Sequence, residues 1–336
     1  MGARAQYVIV ENGTWHRHYS HWGANGIIND LLPGPAAATR CFRAGREIDE
    51  WLDDVWCEGA ALVDHDRRVL LWCASSIDWD EYAAARAVLA RTWPGWDVRF
   101  AHDALGDLTH HLGLDRDVSR PPGWFEAFEP DRFAYSEGTD PRSVVSLRLP
   151  DGSVRAWGSL WEPVGHVAGG PALIDLIAAS PRTPAPAEMP DGGVHFDPRA
   201  RTVSLWSART VAGIHDWPLP RWEGWALDFR GDDHTHQSAL LPADFPFPRL
   251  SLAPALRKLG GRIATPQPDP AALLATPQPD PVALLAPATA APGPEGTTAV
   301  VNPDALTPHD PVAPTPAELT ALRTALDTLI AESETA

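Results

Sequence analysis

The sequence predicts an α+β protein built from two tandem, diverged copies of one ββαββ(α)β unit with mostly antiparallel sheets. A disordered Pro/Ala-rich tail follows and ends in a short helix. Three observations carry this reading. Four landmarks recur in the same order in both halves of the body, Gly-containing turn dipeptides separate strand-like runs in each half, and the composition changes abruptly after Leu259-Gly260-Gly261.

The landmarks are specific. Asn12-Gly13-Thr14 followed by Trp22 matches Asp151-Gly152-Ser153 followed by Trp161, and Gly34-Pro35-Ala36 matches Gly170-Pro171-Ala172. Glu58-Gly59 with Asp64 and Leu71-Trp72 matches Asp191-Gly192 with Asp197 and Leu205-Trp206, provided the second copy has one extra residue in its turn. Trp93, Trp96, Val98 and Phe100 match Trp222, Trp225, Leu227 and Phe229. Chance matches between tryptophans need not stay in order, whereas loop-length changes between conserved elements produce this pattern.

Taken in order, Tyr7–Val10 and Trp15–Trp22 flank Asn12-Gly13, and Val144–Leu149 and Val154–Leu160 flank Asp151-Gly152, which are strong hairpin signals. Pro35 and Pro171 suit the first turn of a helix, where the missing N–H costs nothing. Ala61–Val63 with Val69–Trp72, and Val194–Phe196 with Val203–Trp206, read as second hairpins. A helix follows Asp78, with Glu81 at capping-box spacing, and another follows Asp103, with Leu105, Leu108 and Leu112 on one side. The expected divisions are a first repeat over 1–113, a linker or packed loop over 114–142, and a second repeat over 143–262. A tether spans 263–314 and a C-terminal amphipathic helix 315–333.

The tether contains an eleven-residue tandem repeat, Ala264–Leu274 and Ala275–Leu285, whose composition gives an extended spacer and not a core. Behind it Thr315 is placed as an N-cap, Pro316 at the first helical position and Glu318 at the third. Leu319, Leu322, Leu326, Leu329 and Ile330 then form an apolar stripe at helical spacing that must be buried somewhere, on the body or on a partner.

Charge and cysteine usage exclude several classes. The formal net charge of −17 argues against nucleic acid and against an anionic membrane surface as the main partner. From Ala264 onward nine acidic residues face one base, Arg323, so the tail carries much of the excess. Lys258 is the only lysine, which suggests a GC-rich bacterial coding bias and makes arginine usage uninformative about sites. Cys41, Cys57 and Cys73 form neither a disulfide framework nor a zinc knuckle by spacing. With no apolar run at the start or of membrane-spanning length, a cytoplasmic location is expected.

Candidate chemistry is sparse. His16 and His18 lie two apart on a strand, an arrangement that can share a divalent transition metal, with Asp64, His65 or Asp66 as conceivable further ligands. The repeat suggests that Trp15, Arg17, Tyr19 and His21 face the core, because copy two has Val154, Ala156, Gly158 and Leu160 there. His16 and His18 would then face outward, where copy two has Arg155 and Trp157. Asp49, Glu50, Asp53 and Asp54 around Ile48, Trp51, Leu52 and Val55 read as the solvated face of an amphipathic helix. A carboxylate pair there could act as acid and base only if burial raised one pKa. Asp232-Asp233-His234-Thr235-His236 has ligand types at poor spacing. Trp15, Trp157 and Trp217 do not recur as tryptophan between the copies and are therefore candidate exposed contact residues.

Tyr7–Gly13 followed by His21-Trp22-Gly23 is similar to the opening of the WGR module of DNA-damage-response proteins. The basic residues that flank that module's Trp-Gly are absent, and the similarity ends with this hairpin, so it carries no assignment. The sequence thus leads to two expectations. The first is a non-catalytic intracellular binding or adaptor protein whose tethered helix, through Leu319, Leu322, Leu326 and Leu329, docks to a protein partner, with self-association left open. The second is a metal-dependent hydrolase with its site around His16 and His18.

Overall fold

A computed structural model describes residues 2–75, 77–120, 140–215, 219–264 and 312–335. Most of the expected linker (114–142) and tether (263–314) lies outside these residues, as does Trp217. No helix among the described residues is long and apolar enough to cross a membrane.

The first lobe runs β1 (Ala5–Glu11), β2 (Thr14–Ser20), α1 (Ile27–Leu31), α2 (Pro35–Arg43), β3 (Arg46–Ile48), β4 (Gly59–Asp64), β5 (Val69–Ala74), α3 (Trp79–Thr92), β6 (Asp97–Phe100) and α4 (Leu105–His111). The second runs β7 (Ser143–Arg148), β8 (Val154–Ser159), α5 (Pro163–Ala168), α6 (Leu173–Ala179), β9 (Gly192–Asp197), β10 (Thr202–Ser207), β11 (Ala226–Phe229) and α7 (Thr235–Leu240). Then come α8 (Leu252–Ala264) and, after the tether, α9 (Pro316–Thr335).

The fold is mixed α+β, with one six-stranded and one five-stranded sheet. The first has the order β3-β2-β1-β4-β5-β6 and the second β8-β7-β9-β10-β11, so the second repeats the first without its short edge strand β3. Pairing sense agrees as well. In each lobe the hairpin strands pair antiparallel, β1 with β4 and β7 with β9 run parallel, and so do β5 with β6 and β10 with β11. Tyr7 stands opposite His18 and Ala61, while Val145 stands opposite Trp157 and Val194.

That register corrects one reading. Gly59 pairs with Ala74 and Asp64 with Val69, just as Gly192 pairs with Ser207 and Asp197 with Thr202, so the two turns have equal length. Arg68 and Arg201 take the same left-handed turn position, with φ of 54° and 53°. Trp72 therefore corresponds to Leu205, and Trp206 to Cys73. A one-residue slip moves a side chain to the other face, which is why the matched Leu-Trp dipeptides are not structural equivalents.

The recurring Trp93 and Trp222 are equivalents. Trp93 Nε1 donates to the Leu31 carbonyl at 2.9 Å and Trp222 Nε1 to the Val167 carbonyl at 2.7 Å. Each acceptor lies three residues before a glycine with positive φ, Gly34 at 106° and Gly170 at 66°. Pro35 opens α2 as expected, whereas Pro171 lies in the turn ahead of α6.

Both faces of the first sheet are covered. Tyr7, Ile9, Ala61, Val63, Leu70 and Trp72 share a core with residues of α1, α2, α3 and α8, and Val8, Ala60, Leu62, Leu71 and Cys73 pack with Leu105 and Leu108 of α4. The second sheet packs Val145, Trp157, Val194 and Phe196 with Val167, Leu173 and Ile177 of α5 and α6. The lobes touch through Trp79 and Trp206, with ring centroids 5.4 Å apart, and through the Val211 N–H donating to the His102 carbonyl at 2.6 Å.

Candidate functional site

The feature that stands out from the duplicated plan is a layer of three helices on the first lobe. α3 starts at Asp78, whose carboxylate accepts from the Glu81 N–H at 2.8 Å, half of the expected capping box. The Glu81 carboxylate turns to α8 instead, where it meets Arg262 and lies 3.9 Å from Lys258. These contacts join the start of α3 to the end of α8, so the two helices run antiparallel.

α9 completes the layer. Thr315 Oγ1 and the Glu318 carboxylate bond to each other and to the backbone N–H groups across the turn, giving the full capping box that the sequence implies. Leu322 and Leu326 are buried among Tyr82, Ala85, Val88 and Leu89 of α3 and Ala255, Leu256 and Leu259 of α8, and Leu329 and Ile330 pack at the edge of the same core. Leu319 is half-buried. The stripe thus lies on the chain's own body.

Charge complementarity marks this cradle. Among the described residues, three ion pairs join α9 to the body, each with the acid on the helix and the base on the body: Glu318 with Arg40 of α2, Glu332 with Arg91 of α3, and Glu334 with Arg257 of α8. Arg40 grips Glu318 through both terminal nitrogens, at 3.1 and 2.6 Å, and this bond holds the Glu318 carboxyl down at about 2. The pairs at Arg91 and Arg257 are exposed and contribute orientation more than energy. Because Arg91 ends α3 while Arg257 lies in the first half of α8, α9 runs parallel to α3 and antiparallel to α8.

The other expected contact residues are placed differently. Trp157 is 1% exposed, packed in the second lobe's core with its Nε1 directed to the Ser180 carbonyl, and so it is not a surface contact. His18, at the equivalent position, is 7% exposed. The outward assignment holds for His16, which is exposed at the hairpin end of β2, and fails for His18, where both faces of the sheet are covered and alternation no longer separates core from solvent. Trp15 is half-buried and lies 6.2 Å from Trp51 with the rings tilted, and the Arg17 guanidinium is 5.2 and 5.1 Å from the two rings. Trp56, which the same non-recurrence criterion would have found, is 56% exposed beneath Arg4.

His16 Nδ1 lies 2.8 Å from Glu47 Oε1, and His18 Nδ1 lies 3.3 Å from the Gly45 carbonyl. Asp64 bonds His111, His65 bonds Thr39, and Asp66 accepts from the Asn12 and Gly13 N–H groups, so none of these extends the histidine pair. Among the described residues, the three potential ligands whose donor atoms lie within 4.8 Å of one another are Asp103, Asp107 and His215. Arg116 holds both of those carboxylates and Arg120 also holds Asp103, a setting that repels a cation.

The segment from Asp49 to Glu58 is not the expected amphipathic helix. Strand β3 pairs with β2 and feeds a turn in which Asp53 accepts from the Val55 and Trp56 N–H groups. The Asp54 side chain is buried, accepting from the Leu105 N–H at 3.2 Å and lying 3.7 Å from Arg120, and this burial pushes its carboxyl up to about 7. It lines a cavity of about 220 Å³ between the lobes, together with Cys57, Cys73 and Val211. A group titrating there could move a proton near neutral pH, but its oxygens are committed to Leu105, Ser119 and Arg120.

No protein-family model, curated protein or solved structure matches the chain.

Proposed function

We propose that the chain is a non-catalytic binding protein, an adaptor that rests with α9 in its cradle and engages a protein partner through the same helix after release. One observation carries this reading. α8 and α9 pack antiparallel, so a connection of roughly 2–8 residues would suffice, yet residues 265 to 315 separate them.

Surplus tether gives reach without a new contact. It places α9 at an effective concentration on the order of millimolar at its own cradle, falling as the tether lengthens. A partner that binds the helix tightly can outcompete this. A second copy of the chain at micromolar concentration competes poorly, so exchange between copies is the weaker outcome. The charge layout supports the same use, because Glu318, Glu332 and Glu334 give the helix acidic ends around an apolar stripe, a pattern readable by a partner groove flanked by bases.

Affinity capture with the full chain and with a chain ending at Ala264 tests the reading. The expected result is a protein retained only by the full chain and displaced by a synthetic peptide of residues 312–335. A partner held equally by both forms, or no partner for either, overturns it.

A further inference from the structure

We propose that the first lobe binds a divalent first-row transition metal ion through His16, His18 and Glu47, on one face of the β2/β3 edge. These side chains line a pocket of about 440 Å³ together with Ile9, Glu11 and Arg43. Neither α9 nor its three arginine partners line it, and the inference does not rest on the adaptor reading.

Strand register brings the trio together. Glu47 of β3 stands directly opposite His18 of β2, and His16 lies two residues from His18, so all three side chains leave the same face. Glu47 reaches diagonally to His16, whose Nδ1 lies 2.8 Å from its Oε1. At His18 the Nδ1 must be the donor toward the Gly45 carbonyl at 3.3 Å, because a carbonyl oxygen only accepts. That bond fixes the tautomer with its lone pair on Nε2, the arrangement in which a histidine ligates a metal while a backbone carbonyl orients its ring. The second lobe has Arg155 and Trp157 at the equivalent positions and no strand matching β3, so the trio belongs to the first lobe.

The ligand class follows from the donor types. Two imidazoles and one carboxylate suit Zn²⁺, Fe²⁺ and their neighbours and leave coordination positions for water. The charge on the pocket admits a cation, because Arg43 is paired with Glu11 and Glu47 adds a further carboxylate. As the side chains stand, the donor atoms of the trio are not all within 4.8 Å of one another, whereas a bound ion draws its ligand atoms to within roughly 4 Å. His16 and Glu47 supply that movement. Their side chains are 61% and 63% exposed, so rotation about their side-chain bonds displaces little packing while His18 stays in place.

The test uses the full chain, purified without a histidine tag and stripped of metal with a chelator. Calorimetric titration with zinc chloride should show about one equivalent bound with a Kd in roughly the micromolar range. His16→Ala and Glu47→Gln, both at exposed positions, should each weaken binding by at least about tenfold. His110→Ala, at an exposed histidine outside the pocket, should leave it unchanged. His18→Ala should weaken it as well, and a thermal melt separates that loss from unfolding. The proposal is overturned if no Zn²⁺ binds below about 100 μM, if either His16→Ala or Glu47→Gln binds as tightly as the parent, or if His110→Ala lowers affinity as much as they do.

Discussion

Leu322→Ala is the sharpest probe of the helix cradle. Leu322 is fully buried and Leu326 4% exposed, and each contributes about 1.5–3 kcal/mol on leaving water. The ion pairs at Arg91 and Arg257 are half-exposed and add about 0–1 kcal/mol each. Against these stands the ordering of a helix that is marginal on its own at this length. The docked state therefore lies only a few kcal/mol below the undocked one. Removing three carbons from a fully packed leucine costs about 3 kcal/mol, within the usual 2–5, which lowers the docking constant roughly a hundredfold. Hydrogen exchange read by mass spectrometry should show residues 319–330 losing about that factor of protection while amides of β4 and β5 keep theirs. Unchanged exchange in α9, or an equal loss throughout the first sheet, would refute the cradle as a separately opening unit.

Trp93→Phe and Trp222→Phe each remove an indole N–H from a buried carbonyl and leave a small void, so both should lower unfolding free energy in urea by about 2–4 kcal/mol; a neutral effect at one site would break their equivalence. Gly34→Ala should destabilise more than Gly170→Ala, because Gly34 sits at φ 106° and ψ 177°, a region essentially restricted to glycine, and its added Cβ would lie 2.9 Å from the Thr92 carbonyl against 3.5 Å from Arg221 for Gly170. Thermal melts of the two variants compare them directly, and equal shifts would contradict the argument. Burial holds His166 at about 3 and both His102 and His195 at about 4. Their unfolded forms take up protons near pH ~6.5, so the histidines' share of the stability is intact above that pH and is lost as pH falls toward 4, by about 5 kcal/mol between pH 7 and pH 5; Asp54, raised to about 7, takes up its proton in the folded state over the same window and offsets about 2 kcal/mol, leaving a net loss of about 3 kcal/mol. A midpoint temperature that stays flat over this range would contradict that sign.

What the sequence revealed is local. Asn12-Gly13 and Asp151-Gly152 announce their hairpins because φ above zero is cheap there, and Thr315, Pro316 and Glu318 announce the start of α9 because its first N–H groups need a cap. Pairings set by distant segments were not legible. The Trp51, Leu52 and Val55 spacing imitates a helix face, but Arg46–Ile48 finds β2 as a partner and the chain beyond it must reach the start of β4. Arg40, Arg91 and Arg257 gave no warning of their role, since nearly every base in this chain is arginine. Asp54 looked solvated because neighbouring acids are, yet it is the one that burial sets apart.

The departures from the duplicated plan set the two lobes apart more than the repeated features do. The recurring tryptophans serve packing in both lobes, so the recurrent signal reports the shared fold and not its use. Between β5 and β6 the first lobe inserts the full helix α3, while the described part of the matching β10–β11 connection holds only a short 3-10 turn at Leu219–Trp222. Without that helix the second lobe offers α8 and α9 no equivalent ridge. The cradle for α9 is built on α3, through Leu89 and its neighbours. A duplication followed by elaboration of one crossover would yield this arrangement, and Trp206 and Ala208 of the second lobe complete the first lobe's core.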